Sequence, residues 1–305
     1  MVAVALGLIV LAAMLEAFNS NSATGTTNTR FTEVQSNARY AADFLRREIQ
    51  HTGYLGLSAG TVTYEPTTLQ TANYSACGAG FATNLAQRIW GSDDANGVPC
   101  IPSADYARGD ILVVRKANLI RLPSTNDLKC QPNPAPAATK VYVRSEFMKA
   151  TIYLGSSVPL NLQPPCEDYL AQVDAYYISP CSNTTIACSA SGADTIPSLK
   201  RMTLGDGPAF TSQLIAAGIE NLQVQYGVQA ADTVNFQDAA VTTDWPNVVA
   251  VRLWVLARSS DAEYLGYSNT SSYDMGNHTA AGGNAITVND HYVRQLFPLV
   301  VNVRK

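Results

Sequence analysis

Six cysteines, three histidines and one acidic turn are the residues of this chain whose types could support chemistry. The cysteines are Cys77, Cys100, Cys130, Cys166, Cys181 and Cys188. None forms a C-x-x-C pair and none stands at zinc-finger spacing from a histidine, so the pattern does not read as a zinc centre. An even number in an exported chain reads as three disulfides, which oxidising compartments form and maintain. The local pair Cys181–Cys188, closing the polar loop Ser182–Ala187, is the one the sequence favours. Cys77–Cys100 and Cys130–Cys166 follow only from nearness along the chain.

The histidines, His51, His278 and His291, are dispersed. His51 follows a helical pattern, where a cation suits the C-terminal dipole. No Walker loop, G-x-G-x-x-G, G-x-S-x-G elbow or H-E-x-x-H is present. The segment GSDDANG sets Asp93, Asp94, Asn96 and Gly97 close together. Its spacing is wrong for an EF-hand and no Glu closes it, so it reads as a solvent-exposed turn. No catalytic residue, metal site or cofactor is expected, and the chain is not expected to be an enzyme. Tyr264, Tyr267 and Tyr273, with Asn and Ser between them, could make an adaptable contact surface; an ordinary surface loop is the simpler reading.

The chain has 305 residues, enough for one large domain or two modest ones, and 47% of them are hydrophobic. Charged residues make up only 14%, against about 25% in ordinary soluble domains. Polarity comes instead from Ser, Thr, Asn and Gln, as in exported proteins and assembly subunits. The formal charge of −4 leaves no basic footprint, which argues against nucleic acid as a direct partner.

Met1–Leu15 is an unbroken apolar run, and Glu16 is the first charge. A spanning helix needs roughly 20 apolar residues, so this run alone is short, and it would also fit the core of a signal peptide. Asn19–Thr29 is polar, with Gly25 at its centre and poor helix propensity. The helical period then returns: Phe31, Val34, Ala38, Ala41, Leu45 and Ile49 form one apolar face. Asp43 and Arg47 stand at the favourable i,i+4 spacing, and Gly53 makes a natural stop. A greasy start continued by an amphipathic end reads as an anchor joined to a segment that packs on a head.

Leu57–Pro102 suggests loops and short elements, and Pro123–Thr139, with four prolines, a loop. Strands are expected at Asp110–Arg115, Lys140–Arg144, Ala150–Leu154, Asp174–Ser179 and Leu199–Leu204. Glu220–Val228 alternates with period two, as a half-buried strand does. Asn247–Arg258 gathers Val249, Val251, Leu253, Val255 and Ala257 on one face, while Val248, Trp254 and Leu256 share the other with Arg252 and Arg258, so it reads as a central strand covered on both sides. Tyr292–Lys305 contains Pro298, which cannot donate to a ladder and suggests an edge or a bulge. Tyr264–Asn289 reads as a long surface loop.

Within Gln35–Gly56, Asn37, Arg39, Tyr40, Ala41, Phe44, Leu45, Arg46, Arg47, Glu48, Gly53 and Tyr54 closely resemble the corresponding stretch of PilW-type minor pilins. Gly218–Gly227, Trp245–Ser259 and Val293–Arg304 resemble the C-terminal strands of those heads and of J-type pseudopilins. The opening run looks like the continuation of the pilin motif whose cleavage site and glutamate would precede Met1. The resemblance implies an α+β, type IV pilin-like fold: a long N-terminal α-helix packed on an antiparallel β-sheet head with disulfide-bonded loops. It divides the chain into a helix over 1–53 (1–18 for membrane and filament core, 31–53 for head packing) and a head over 54–305. Val4, Leu6, Leu8, Val10, Leu11 and Leu15 would serve the membrane and filament core, and Phe31, Val34, Ala38, Leu45 and Ile49 the head-packing face. It further implies a minor subunit that helps prime type IV pilus assembly. Its partners would be other minor pilins, the major pilin and a tip adhesin, with the inner membrane as its station before assembly, its head in the periplasm, and a place near the pilus tip afterwards. Two alternatives stay open: a J-type pseudopilin of a type II secretion system, and a secreted β-domain, binding module or hydrolase, behind a signal peptide.

Overall fold

A computed structural model describes residues 2–303 apart from 59, 127–129, 160–163, 206–208, 264–266 and 279–284. Its first element is a single helix, α1 (Val2–Gln50). The polar stretch 19–29 does not interrupt it. Thr26, Thr29 and Thr32 each donate their hydroxyl to the carbonyl four residues earlier, at 3.2, 2.9 and 2.9 Å, so side chains that compete with helix elsewhere are absorbed by it here. Extending a helix already nucleated on both sides costs only a few tenths of a kcal/mol per poor residue. The helix ends where Gly53 adopts φ +74°. A side chain there would be strained, and its Cβ would stand 2.8 Å from Cδ of Arg88.

The strands follow in chain order. β1 (Thr61–Glu65), β2 (Ile89–Ser92) and β3 (Arg108–Arg121) come first, then a two-stranded ribbon of β4 (Ser124–Asn126) and β5 (Gln131–Pro132). β6 (Val141–Glu146), β7 (Lys149–Leu154), β8 (Cys166–Ser179), β9 (Ser198–Leu204) and β10 (Phe210–Ala217) complete the first sheet. Its order is β1-β7-β6-β8-β3-β2. Opposite β3, β8 pairs with β6 over Cys166–Leu170 and with β9 over Asp174–Ser179, so the sheet forks along one long strand. The second sheet, of order β12-β11-β13-β16, contains β11 (Ile219–Ala230), β12 (Thr233–Asp238), β13 (Val248–Arg258) and β16 (Arg294–Asn302). A small ribbon of β14 (Ser272–Tyr273) and β15 (Ile286–Thr287) lies between β13 and β16 in sequence.

Period-two alternation explains how the layers stack. Along β3, Leu112 and Val114 face a core shared with α1 and the second sheet, while Ile111 and Val113 face the opposite core. On β8, Tyr176 and Ile178 divide in the same way from Ala175 and Tyr177. The far core is closed by Tyr64, Leu69, Phe81, Leu85, Val98 and Ile101, so the segment 57–102, expected as loops and short elements, contributes the short strands β1 and β2 and also forms the lid of a second hydrophobic layer. Strands covered on both faces lose polar alternation, and β3 and β8 extend well beyond the runs 110–115 and 174–179 read from sequence. Pro298 sits on the edge strand β16, opposite Trp254 of β13.

Candidate functional site

The surface that distinguishes this molecule is α1 itself. Its C-terminal part is built into the head: Val34, Ala38, Ala41, Leu45 and Ile49 are each fully buried in the core shared by both sheets. Phe31, expected on the same face, is 47% exposed. Two polar ties flank the packed stretch. At one end Arg30 reaches Asp261 at 2.6 Å and Ser260 at 3.2 Å. At the other, Lys116 donates to Glu48 at 2.6 Å, and Tyr176 donates to the same carboxylate oxygen at 3.0 Å. Phe31 lies one residue past the first tie, at the rim where the helix leaves the head, and this position keeps it out of the core. Asp43 pairs with Arg46 at 2.7 Å, the i,i+3 neighbour, where the spacing had suggested Arg47. His51 donates Nδ1 to the Arg47 carbonyl at 2.8 Å and so satisfies one of the last acceptors of the helix.

The helix before Arg30 projects from the head by about 42 Å, at 1.5 Å per residue. Val10, Leu11, Met14, Leu15 and Phe18 on this part are all more than half exposed. The side chains of Val4, Leu6 and Leu8 lie outside the described residues. Among the described residues, no helix is long and apolar enough to cross a membrane.

Disulfides secure the loops of the head: Cys77–Cys100, Cys130–Cys166 and Cys181–Cys188 are bonded. Cys77–Cys100 lies in the lid over the far core. The short Cys181–Cys188 loop packs on Lys200, whose Nζ donates to the Asn183 carbonyl at 2.5 Å and lies 3.7 Å from each sulfur. Burial pulls the Lys200 ammonium below the ordinary lysine range.

An acidic trio occupies the other end of the β2–β3 pair. One carboxylate oxygen from each of Asp93, Asp94 and Asp110 falls within 4.8 Å of the others. Asp110 is buried and accepts the backbone N–H of Asp94 at 3.0 Å and of Val224 at 2.7 Å. Burial nevertheless pushes its carboxyl up to about 8, with the neighbouring charges of Asp93 and Asp94 adding to the shift. Asp93 is raised by burial and by Asp238 and Asp94. His278 Nε2 meets Asp94 at 2.6 Å, Gln223 donates to Asp94 at 2.9 Å, and Asn277 donates to Asp93 at 3.3 Å. His291, the remaining histidine, donates to the Tyr267 carbonyl at 2.5 Å. The GSDDANG segment is thus a turn with a third carboxylate folded against it, which its local spacing did not reveal. Of the three loop tyrosines, Tyr267 packs against the main core, Tyr273 accepts a hydrogen bond from Asn269 at 3.1 Å, and Tyr264 lies outside the described residues.

A long helix that buries only its C-terminal part in a disulfide-bonded head of antiparallel-rich sheets is the α+β architecture that the sequence resemblance implied. Among known families, the model of the one described as Type IV Pilus-assembly protein W matches residues 175–305. The match covers less than half of the chain and takes in the strands whose sequence resembled that family. Among solved structures, the fold is similar to the type IV-like pilin TTHA1219 from Thermus thermophilus, with 14% identity over 88% of this chain and 94% of that one and a TM-score of 0.37. No curated protein matches the chain.

Proposed function

We propose that this chain is a type IV pilin, a minor subunit that helps prime pilus assembly and resides near the tip with other minor pilins, the major pilin and an adhesin. The observation that carries this reading is the projecting half of α1, with Val10, Leu11, Met14, Leu15 and Phe18 exposed. An apolar helix of this kind holds a subunit in the inner membrane first, its head in the periplasm, and then packs among neighbouring helices in a filament core. Lipid tails and helix surfaces are similarly apolar, so that transfer exposes little hydrophobic surface to water. The head works as a contact surface rather than a reaction centre in this reading, consistent with the dispersed histidines.

Val10→Asp tests it. A carboxylate in the middle of the apolar run opposes both insertion and helix packing, by about 2.5–3.5 kcal/mol for a buried position in a membrane. Val10 is remote from the head, so the head retains its fold and its three disulfides. The expected result is loss of surface pili in cells carrying the variant as their sole copy, with a normal circular-dichroism spectrum for the purified protein. A normal pilus count in those cells overturns the proposal.

A further inference from the structure

We propose that the cleft in the lid of the far core, built around Arg115, is a binding site for a sugar unit carrying a carboxylate. The cleft has a volume of about 290 Å³, near the lower bound of ordinary ligand sites and of a size for one monosaccharide unit. Among the described residues that line it, Arg115 alone is charged. Alternation along β3 puts Arg115 on the face of Ile111 and Val113. A guanidinium thus stands under the lid, on a face where the strand otherwise buries aliphatic side chains.

That guanidinium is a buried charge without a counter-charge. Arg115 is 3% exposed, and it makes no ion pair among the described residues. Nε donates to the Phe81 carbonyl at 3.0 Å and Nη1 to the Gln87 carbonyl at 2.8 Å. Nη2 has no hydrogen-bond partner among the described residues, and the side chain lines the open cleft. Burial pulls the group down only to about 10, so it stays charged at neutral pH. A buried charge ordinarily has a partner of opposite sign. An incoming carboxylate supplies one, and Nη2 is the donor left to receive it.

The walls suit a sugar better than a bare anion. Phe81, whose ring centroid lies 5.3 Å from the guanidinium carbon, and Trp90 give apolar surface, while Gln70, Asn84 and Gln87 give side-chain amides. Amides both donate and accept, the complement of ring hydroxyls. Tyr64 donates to Oδ1 of Asn84 at 3.1 Å, which leaves the amide nitrogen of Asn84 as a donor for the ligand. Aromatic surface with a few placed polar groups is the usual lining of a small-molecule site. The wall is also preformed. Cys77, which lies in it, is bonded to Cys100, and the Gly80 N–H donates to the Ala72 carbonyl at 2.9 Å, so little ordering opposes binding.

Sodium glucuronate titrated into the full chain, held in a detergent without a sugar headgroup and followed by tryptophan emission, tests the site. The expected result is saturable binding with Kd of about 1 mM, ordinary for a ligand this small. Glucose lacks the carboxylate and acetate lacks the ring, and each is expected to bind at least about tenfold more weakly. Gln87→Glu sets a carboxylate beside the guanidinium in competition with that of the ligand, and is expected to weaken glucuronate binding about tenfold or more. Gln70→Ala, at an exposed position, is expected to weaken it about threefold through one lost hydrogen bond, with an unchanged circular-dichroism spectrum. Absence of saturable glucuronate binding up to about 20 mM, well above that Kd, overturns the site. So does an affinity unchanged in both variants, and glucose or acetate binding as tightly as glucuronate overturns the acidic-sugar ligand.

Discussion

Replacing Asp168 by Ala is expected to destabilise the head by about 3–5 kcal/mol, the loss seen when one partner of a buried ion pair is removed. Arg144 on β6 is 1% exposed, and its register partner on β8 is Asp168, itself 5% exposed. Nε and Nη2 of Arg144 each donate to Asp168 at 3.0 Å, one to each carboxylate oxygen. The remaining donors reach the carbonyls of Pro159 at 2.9 Å and Cys130 at 3.1 Å. Tyr153 of β7 donates to Asp168 at 2.7 Å; burial, and then the Asp168 charge, holds its hydroxyl far above the ordinary tyrosine range. One guanidinium thus joins two central strands to the loop segments around Cys130 and Pro159. Without Asp168 it stays buried with no counter-charge, and Tyr153 loses its acceptor. Urea unfolding of the purified chain measures the effect. A loss below about 1 kcal/mol, the value of an exposed pair, would falsify the buried-network account. Replacing both ions together, as Arg144→Met with Asp168→Leu, is expected to recover most of the loss, because the desolvation of two charges no longer opposes folding.

The second large effect concerns the joint between helix and head. Leu45→Ala removes a fully buried side chain from the core where α1 meets both sheets, and such truncations lose about 2–5 kcal/mol through transfer and cavity terms. Phe31→Ala, although it deletes a larger side chain, acts at a position 47% exposed and is expected to change stability by much less, about 1 kcal/mol or under. Equilibrium unfolding of the two variants side by side separates the cases. Equal losses would mean that the helix packs on the head through its rim as well as its centre.

The helix face was legible because its information is local. Val34, Ala38, Ala41, Leu45 and Ile49 recur at steps of three and four, and any helix must gather them on one side. The same holds for β11 and β13, whose period-two pattern shows one face of each strand. Phe31 fits that periodicity equally well, and only the position of the head along the helix axis leaves it outside. The polar stretch 19–29 misleads for a related reason: intrinsic propensity says helix is weak there, while continuity with the turns on either side holds it.

What the sequence determined by itself is the plan of the molecule: an apolar helix turning amphipathic, a β-rich head, an even set of cysteines and a C-terminal third resembling PilW-type pilins. These features rest on neighbours in the chain, and side-chain period and covalent proximity suffice to read them. The tertiary structure decided what depends on distant residues. It set the full length of β3 and β8, whose burial on both faces erases the alternation that marks a strand. It made residues 57–102 a lid over a second core. It also folded Asp110 against an acidic turn that, taken alone, is only a turn. Strand register alone brings those groups together, and register belongs to the sheet rather than to any one segment of it.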